Sequence, residues 1–233
     1  MKKNTVSLLI AASAMIFMAG CAGGTRNNTT QAEAVEESVQ NDTQENIDSA
    51  EAADMAQTDT ELFGWLPAGV EREQSETAPN GELAQLIAEY YEIPDDELAD
   101  SRYYYNYVDL DGDGENEIFA VVVGSYTSGS GGSSALWCEQ QEGKLAVKQA
   151  FTLVNMPVIV VDNEEGTAKS LIVERSGGGA EAEYVELTCT DGVYTNVTDA
   201  EPAEDLENIQ GVAILCNDLA DDMQTGNYLT LEQ

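Results

Sequence analysis

Histidine is missing from this chain, and only 9 residues are Lys or Arg against 44 Asp or Glu, a formal net charge of −35. Without imidazole there is neither the usual general base nor the commonest transition-metal ligand. Zinc and copper sites and histidine-activated serines are therefore set aside. An acidic field of this size repels nucleic acid, so no nucleic-acid partner is expected, and it also repels anionic lipid headgroups. It attracts cations and basic partners, although much of it serves plain solubility. No C-x-x-C, G-x-S-x-G or P-loop pattern occurs. What is present is ample apolar material, 42% of 233 residues, enough to bury a core in one domain or two small ones.

The four cysteines are Cys21, Cys138, Cys189 and Cys216. Cys21 stands apart, as shown below. The other three are an odd number, so at most one internal disulfide can form. Each sits in an apolar run (Leu136-Trp137-Cys138, Leu187-Thr188-Cys189, Ile214-Leu215-Cys216), where a buried free thiol is the plainer reading.

The chain opens with Lys2 and Lys3, an apolar run from Val6 to Met18 broken by Ser7 and Ser13, and then Met18-Ala19-Gly20-Cys21. Residues 1–20 read as an export signal, too short and wrongly flanked for a membrane span. The segment closely resembles the bacterial lipoprotein signal, in which a small-residue pair precedes an invariant cysteine. That resemblance implies acylation (palmitate-like chains) of Cys21, which becomes the new N-terminus on the extracytoplasmic face of a cell membrane. Acyl chains contribute roughly 0.8 kcal/mol per buried CH₂. The alternative is an ordinary secretory signal with a chance cysteine. Residues 21–60 are polar and acidic with almost no large apolar side chain. Such a segment cannot offset its chain entropy and is expected to be a disordered tether of roughly 35 Å root-mean-square reach.

From about residue 61 to 233 a single β-rich globular domain is expected. Leu83, Leu86, Ile87 and Tyr90 recur at helical spacing, so 81–92 reads as an amphipathic helix that stops before Pro94. From Arg102 the character is strand. Tyr103 to Val108 leads into an acidic loop, and Ile118 to Val123, apolar on both faces, leads out. A Gly/Ser loop at 124–134, a strand at 135–138, a Glu142-Gly143 turn and a strand from Leu145 follow. Strands at 158–161, 171–173, 184–189 and 193–194 repeat that order, with turns at 162–166, 176–179 and Asp191-Gly192. The expected fold is mainly β (α+β): an N-terminal helix plus two tandem four-stranded antiparallel meanders of roughly 50 residues each, arranged as packed sheets or an incomplete blade stack. Ordinary hairpins in coincidental order remain the alternative to a repeat.

The loop at 109–117 carries the clearest chemistry. Asp109, Asp111 and Asp113 alternate, Gly112 and Gly114 let the chain curl, and Glu115 and Glu117 follow. Alternating carboxylates wrap hard divalent cations. The first six residues fit an EF-hand loop, but Ala120 stands where its bidentate Glu is needed, and strands flank the loop. The pattern is similar to the Asp-x-Asp-Gly-Asp-Gly-x-x-Glu/Asp calcium loops of integrin-type blade repeats. That resemblance implies side-chain ligands Asp109, Asp111, Asp113 and Glu117, with Glu115 contributing its main-chain carbonyl. Ca²⁺ is the expected ion and Mg²⁺ the second choice. A solvated Asp/Gly hairpin is the bland alternative. The second-half counterpart, Asp162-Asn163-Glu164, has lost the alternation and is not expected to bind.

Weaker candidates are the two glycine loops, each readable as a surface turn, and the Tyr103/Tyr105/Tyr107 face, readable as a sugar platform or as packing under the helix. The whole resembles small lipoproteins of bacterial cell envelopes. The expected function is a membrane-anchored extracytoplasmic lipoprotein with a structural calcium loop, binding an envelope glycan or protein partner without catalysis. The alternative is a calcium-dependent surface hydrolase acting on glycan or phosphoester through carboxylates.

Overall fold

A computed structural model describes residues 62–163 and 166–232. The expected export signal, the lipid site Cys21, the tether and the first residue of the expected domain lie outside these residues, as does Glu164. In chain order the elements are β1 (Val70–Arg72), α1 (Gly81–Tyr90), β2 (Arg102–Val108), β3 (Glu117–Val123), β4 (Ser128–Gly129), β5 (Gly132–Gln141), β6 (Lys144–Val154) and β7 (Val158–Val161). They continue with β8 (Ser170–Gly177), β9 (Ala180–Leu187), β10 (Cys189–Thr190), β11 (Val193–Tyr194), β12 (Glu201–Pro202), β13 (Gly211–Ile214), α2 (Leu219–Thr225) and β14 (Leu229–Thr230).

The fold is mainly β, built of packed sheets. One sheet runs β14-β2-β3-β5, with β6 and the short β4 both on β5; the other runs β1-β13-β7-β8-β9-β12. All neighbours are antiparallel except β1 with β13. Side chains of both sheets interleave between them: Phe119, Val121, Trp137 and Phe151 from the first meet Val158, Val160, Leu171, Val173 and Val185 from the second.

Each sheet is covered on its outer face too. Ile118, Ala120 and Val122 of β3 pack under α1, while Phe119 and Val121 face the other sheet. This is why β3 reads as a continuous apolar run rather than an alternating one. Helix α1 starts at Asn80, whose Oδ1 accepts from the Leu83 N–H at 3.0 Å. It buries Leu83, Ala84 and Ile87. Tyr103 and Tyr105 are spent on that packing. The Tyr105 hydroxyl donates to the Ala78 carbonyl (2.9 Å), and the Tyr103 hydroxyl accepts from the Asn80 N–H (3.0 Å). Of the tyrosine row only Tyr107 stays exposed.

The first meander forms as expected from β2, β3, β5 and β6. The second stops at three strands. Asp191-Gly192 does turn a hairpin, but β10 and β11 pair only with each other, and β12 takes the fourth place beside β9. The chain's last strands are shared out, β13 to the second sheet and β14 to the first. Cys138 and Cys189 are free thiols, the first buried and the second half-buried, and the buried Cys216 thiol donates to the Ala213 carbonyl at 3.2 Å.

Ile87 is fully buried beneath the helix, whereas Tyr90 on the same helix is half-exposed. Ile87→Ala should lower unfolding free energy in urea by about 2–5 kcal/mol. Tyr90→Ser should stay within about 0.5 kcal/mol of wild type. Equal losses would show that α1 does not pack through this face.

Candidate metal centre

The acidic loop closes the β2–β3 hairpin, whose last register pair is Val108 with Glu117. Its shoulder residue, Leu110, is fully buried in the core between the sheets. The Leu110 N–H donates to Glu117 Oε2 at 2.8 Å, and its carbonyl accepts the Lys169 N–H at 2.9 Å. The Tyr194 hydroxyl lies 3.1 Å from that carbonyl and 2.8 Å from the carbonyl of Lys169, its single proton serving both. The loop is thereby tied to the second sheet as well as to its own.

The aspartates curl the loop from inside. Asp109 accepts from the N–H groups of Gly112 (2.7 Å) and Gly114 (3.1 Å). Asp111 accepts from Asp113 (3.3 Å), and Asp113 from Glu115 (2.8 Å). Gly112 sits at φ +79°, and a Cβ there would lie 2.2 Å from the Thr167 carbonyl oxygen, so only glycine fits.

One carboxylate oxygen each from Asp109, Asp111, Asp113 and Glu117 falls within 4.8 Å of the others. Oxygens bound to one calcium-sized ion at 2.3–2.6 Å stand no more than about 5 Å apart. The four groups are thus already gathered to the dimensions of a single coordination shell and can hold a metal ion. At that spacing two carboxylates repel by about 3 kcal/mol for an effective dielectric of about 20. Glu117 is the buried member and Asp113 the exposed one. Burial pushes the Glu117 carboxyl above its ordinary range, and Asp111 and Asp109 add to the rise against the opposing Leu110 N–H and Lys148. Glu115 is exposed, and its N–H is engaged by Asp113.

Lys148, on β6, is a site residue that the sequence reading passed over. Its Nζ lies 2.8 Å from Asp111 Oδ2 and 2.7 Å from Glu139 Oε2, and 4.2 Å from the centre of the Trp137 ring. Burial acts to lower the ammonium's pKa, but Asp111 and Glu139 outweigh it and hold it well above the usual range. Glu139, bonded by Lys148, is held below the usual carboxylate range. Lys148 is one of two lysines in β6, and nothing local says that it folds against Asp111.

The glycine loops lie at the other end of the sheets. Strand β3 runs from Glu117 at the acidic loop to Val123 before Gly124, and β8 from Ser170 to Gly177. The loops meet each other there. A Cβ on Gly177 would lie 2.7 Å from the Gly131 Cα, and Asn155 Nδ2 donates to the carbonyls of Gly131 (3.2 Å) and Glu174 (3.0 Å). Close backbone approach accounts for these glycines, and they contribute nothing to the acidic site. No protein-family model matches this chain, nor does any curated protein or solved structure.

Removing the Lys148 ammonium leaves the charges of Asp111 and Glu139 unanswered. In chelator-treated protein, Lys148→Met should lower the urea-unfolding free energy by about 1 kcal/mol. Added NaCl should narrow that gap, because salt screens the freed repulsion. A variant as stable as wild type at low salt would show that the ion pair carries no weight.

Proposed function

We propose that the chain is a membrane-anchored extracytoplasmic lipoprotein, held through lipidated Cys21, whose globular part is a binding module with a structural calcium loop. Its partner is an envelope glycan or protein. The observation that carries the metal half is the gathering of four carboxylates into one shell-sized space. Calcium is favoured over magnesium because Mg²⁺ demands a tighter octahedron and keeps several of its waters, whereas Ca²⁺ accepts about six to eight oxygens in a less regular shell. Asp109, Asp111, Asp113 and Glu117 would hold the ion by side chain, and Glu115 would add its carbonyl.

The role is structural in this reading. The loop's shoulder is shared by both sheets through Leu110, Lys169 and Tyr194. An ion at the neck of the hairpin would fix the β2–β3 register and the seam between sheets, and its binding free energy would appear as stability. The chain carries no histidine to activate a nucleophile or a bound water, which favours the binding reading over the hydrolytic one. The anchor half rests on Met18-Ala19-Gly20-Cys21 and the acidic stretch after it. Among the described residues no helix is long and apolar enough to cross a membrane.

Calorimetric titration with CaCl₂ should give a saturable one-site heat, and the melting temperature should rise with Ca²⁺ more than with Mg²⁺. Asp109→Asn together with Asp113→Asn should abolish both effects. No heat and an unchanged melting temperature in the wild type would overturn the calcium reading.

The anchor is tested apart from the metal. Expressed with its signal in a bacterial host, the chain should incorporate labelled palmitate and fractionate with membranes. Cys21→Ser should lose the label and release the chain to the soluble extracytoplasmic fraction. An unlabelled wild-type chain would leave only an ordinary secretory signal.

A further inference from the structure

Three of the exposed large apolar side chains among the described residues, Leu62, Trp65 and Leu219, line one groove. Leu62 and Trp65, on the segment entering the first strand, and Leu219 and Met223, on α2, are each between 38 and 51% exposed. Leu219 and Met223 are four residues apart and share a helix face. Between the two segments lies a groove of about 320 Å³, floored by Phe63, Met156 and Pro157 and walled by Leu62, Trp65 and Leu219. Trp65 is held in place, stacked on Tyr184 with ring centres 4.6 Å apart and planes 25° from parallel. A fixed tryptophan beside the adaptable Met156 suits a binding hot spot more than ordinary surface.

Charge says what the groove would accept. Glu174 and Asp218 line it, and no Lys or Arg appears among its described lining residues. Glu174 stands opposite Tyr184 in the β8–β9 register, which sets its carboxylate beside the Trp65 stack. The neighbouring Arg175 is engaged elsewhere, by Glu183 at 2.8 Å and by the carbonyls of Val197 and Ala200 at 3.0 Å. A second copy of a chain with net charge −35, the chain's own acidic stretch 21–60, and an anionic bilayer would each bring like charge to this rim.

We propose that the groove docks an apolar segment of a partner protein whose flanks carry lysine or arginine. Its apolar residues fill the space between Trp65 and Leu219, and its cations meet Glu174 and Asp218. This rests on the reading of the chain as a binding module but not on the metal. The groove shares no residue with the acidic loop, so a calcium titration and a docking assay fail separately.

The test is fluorescence anisotropy of a labelled synthetic Leu/Lys helix-forming peptide titrated with the full chain. A Leu/Glu peptide of the same pattern is the control. Saturable binding of the Leu/Lys peptide is expected, weakened by about tenfold or more in Leu219→Ser/Met223→Ser and unchanged in the distant surface variant Tyr90→Ser. Leu219 lines the groove, Met223 continues its helix face, and both are exposed, so the fold should survive, and melting curves check this. Should α2 loosen, Trp65→Ser makes the same test from the opposite wall. The proposal is overturned if the Leu/Lys peptide does not bind, if the groove variants bind it unchanged, or if the Leu/Glu peptide binds equally well. A concentration-dependent dimer, or sedimentation with phosphatidylglycerol vesicles, that disappears in the double variant would instead assign the groove to a second copy or to lipid.

Discussion

Leu110 is fully buried, although aspartates stand on both sides of it. The core draws the leucine in, and Asp109 and Asp111 must follow it to the neck of the hairpin, where Glu117 already sits at the start of β3. Opening the loop would relieve repulsion of about 3 kcal/mol per carboxylate pair. It would also expose a leucine worth about 1.5–3 kcal/mol. The hydrogen bonds from the Leu110 N–H to Glu117 and from the Lys169 N–H to the Leu110 carbonyl would be lost as well. Summed over the pairs among four carboxylates, the repulsion exceeds what one leucine and two hydrogen bonds return, so the loop's charge needs an answer in the folded state, and a cation there would relieve it. Lys148 supplies one positive charge from the first sheet, and a divalent ion would supply two more.

This balance explains the loop's place in the architecture. It joins the two innermost partners of the first sheet's tyrosine face, and its backbone bonds cross to β8 through Lys169 and to the separate β10–β11 hairpin through Tyr194. Tyr194 also stands edge-on to Trp137, 5.2 Å between ring centres, and Lys148 covers Trp137 from another side. One continuous set of contacts thus runs from the carboxylates through Lys148 and Trp137 to Tyr194 and back to Leu110. A change of charge in the loop is felt in the aromatic centre of the inter-sheet core.

What could be read from the sequence was what local pattern determines. Leu83, Leu86, Ile87 and Tyr90 announce α1, although its fully buried face is Leu83, Ala84 and Ile87 and Tyr90 stays half-exposed, and the aromatic and β-branched runs announce β2 and β3. The Asp/Gly spacing announces a curled loop. What could not be read depends on partners far along the chain. Val70–Arg72 and Gly211–Ile214 are too short to stand out, and they pair in parallel only because the second sheet offers an edge to each in turn. The hairpin at Asp191-Gly192 has correct turn chemistry, yet Tyr194 is drawn into the core beneath Trp137 instead of extending the sheet. That removes the fourth strand of the second meander. Lys148 is the same lesson at the site: its neighbours in sequence are a strand, and its meaning comes from Asp111 in the loop between two others.

The acidic excess then acts in two ways, on separate parts of the chain. At the loop, like charges are gathered beside the buried Leu110 and can hold a metal ion. At the groove, Glu174 and Asp218 flank apolar surface, so the same sign of charge would select among macromolecules instead of ions. Arg175 lies on the opposite face of β8, bound by Glu183 and the carbonyls of the 197–200 turn. Glu174 is left without that neighbour's charge beside the Trp65–Tyr184 stack. A partner that buries Trp65 must also answer Glu174 and Asp218, because desolvating a carboxylate without a counter-charge costs more than the apolar contact returns. Net charge therefore does not simply repel here. It sets the condition that whatever covers the exposed tryptophan must arrive with positive charge on its flanks.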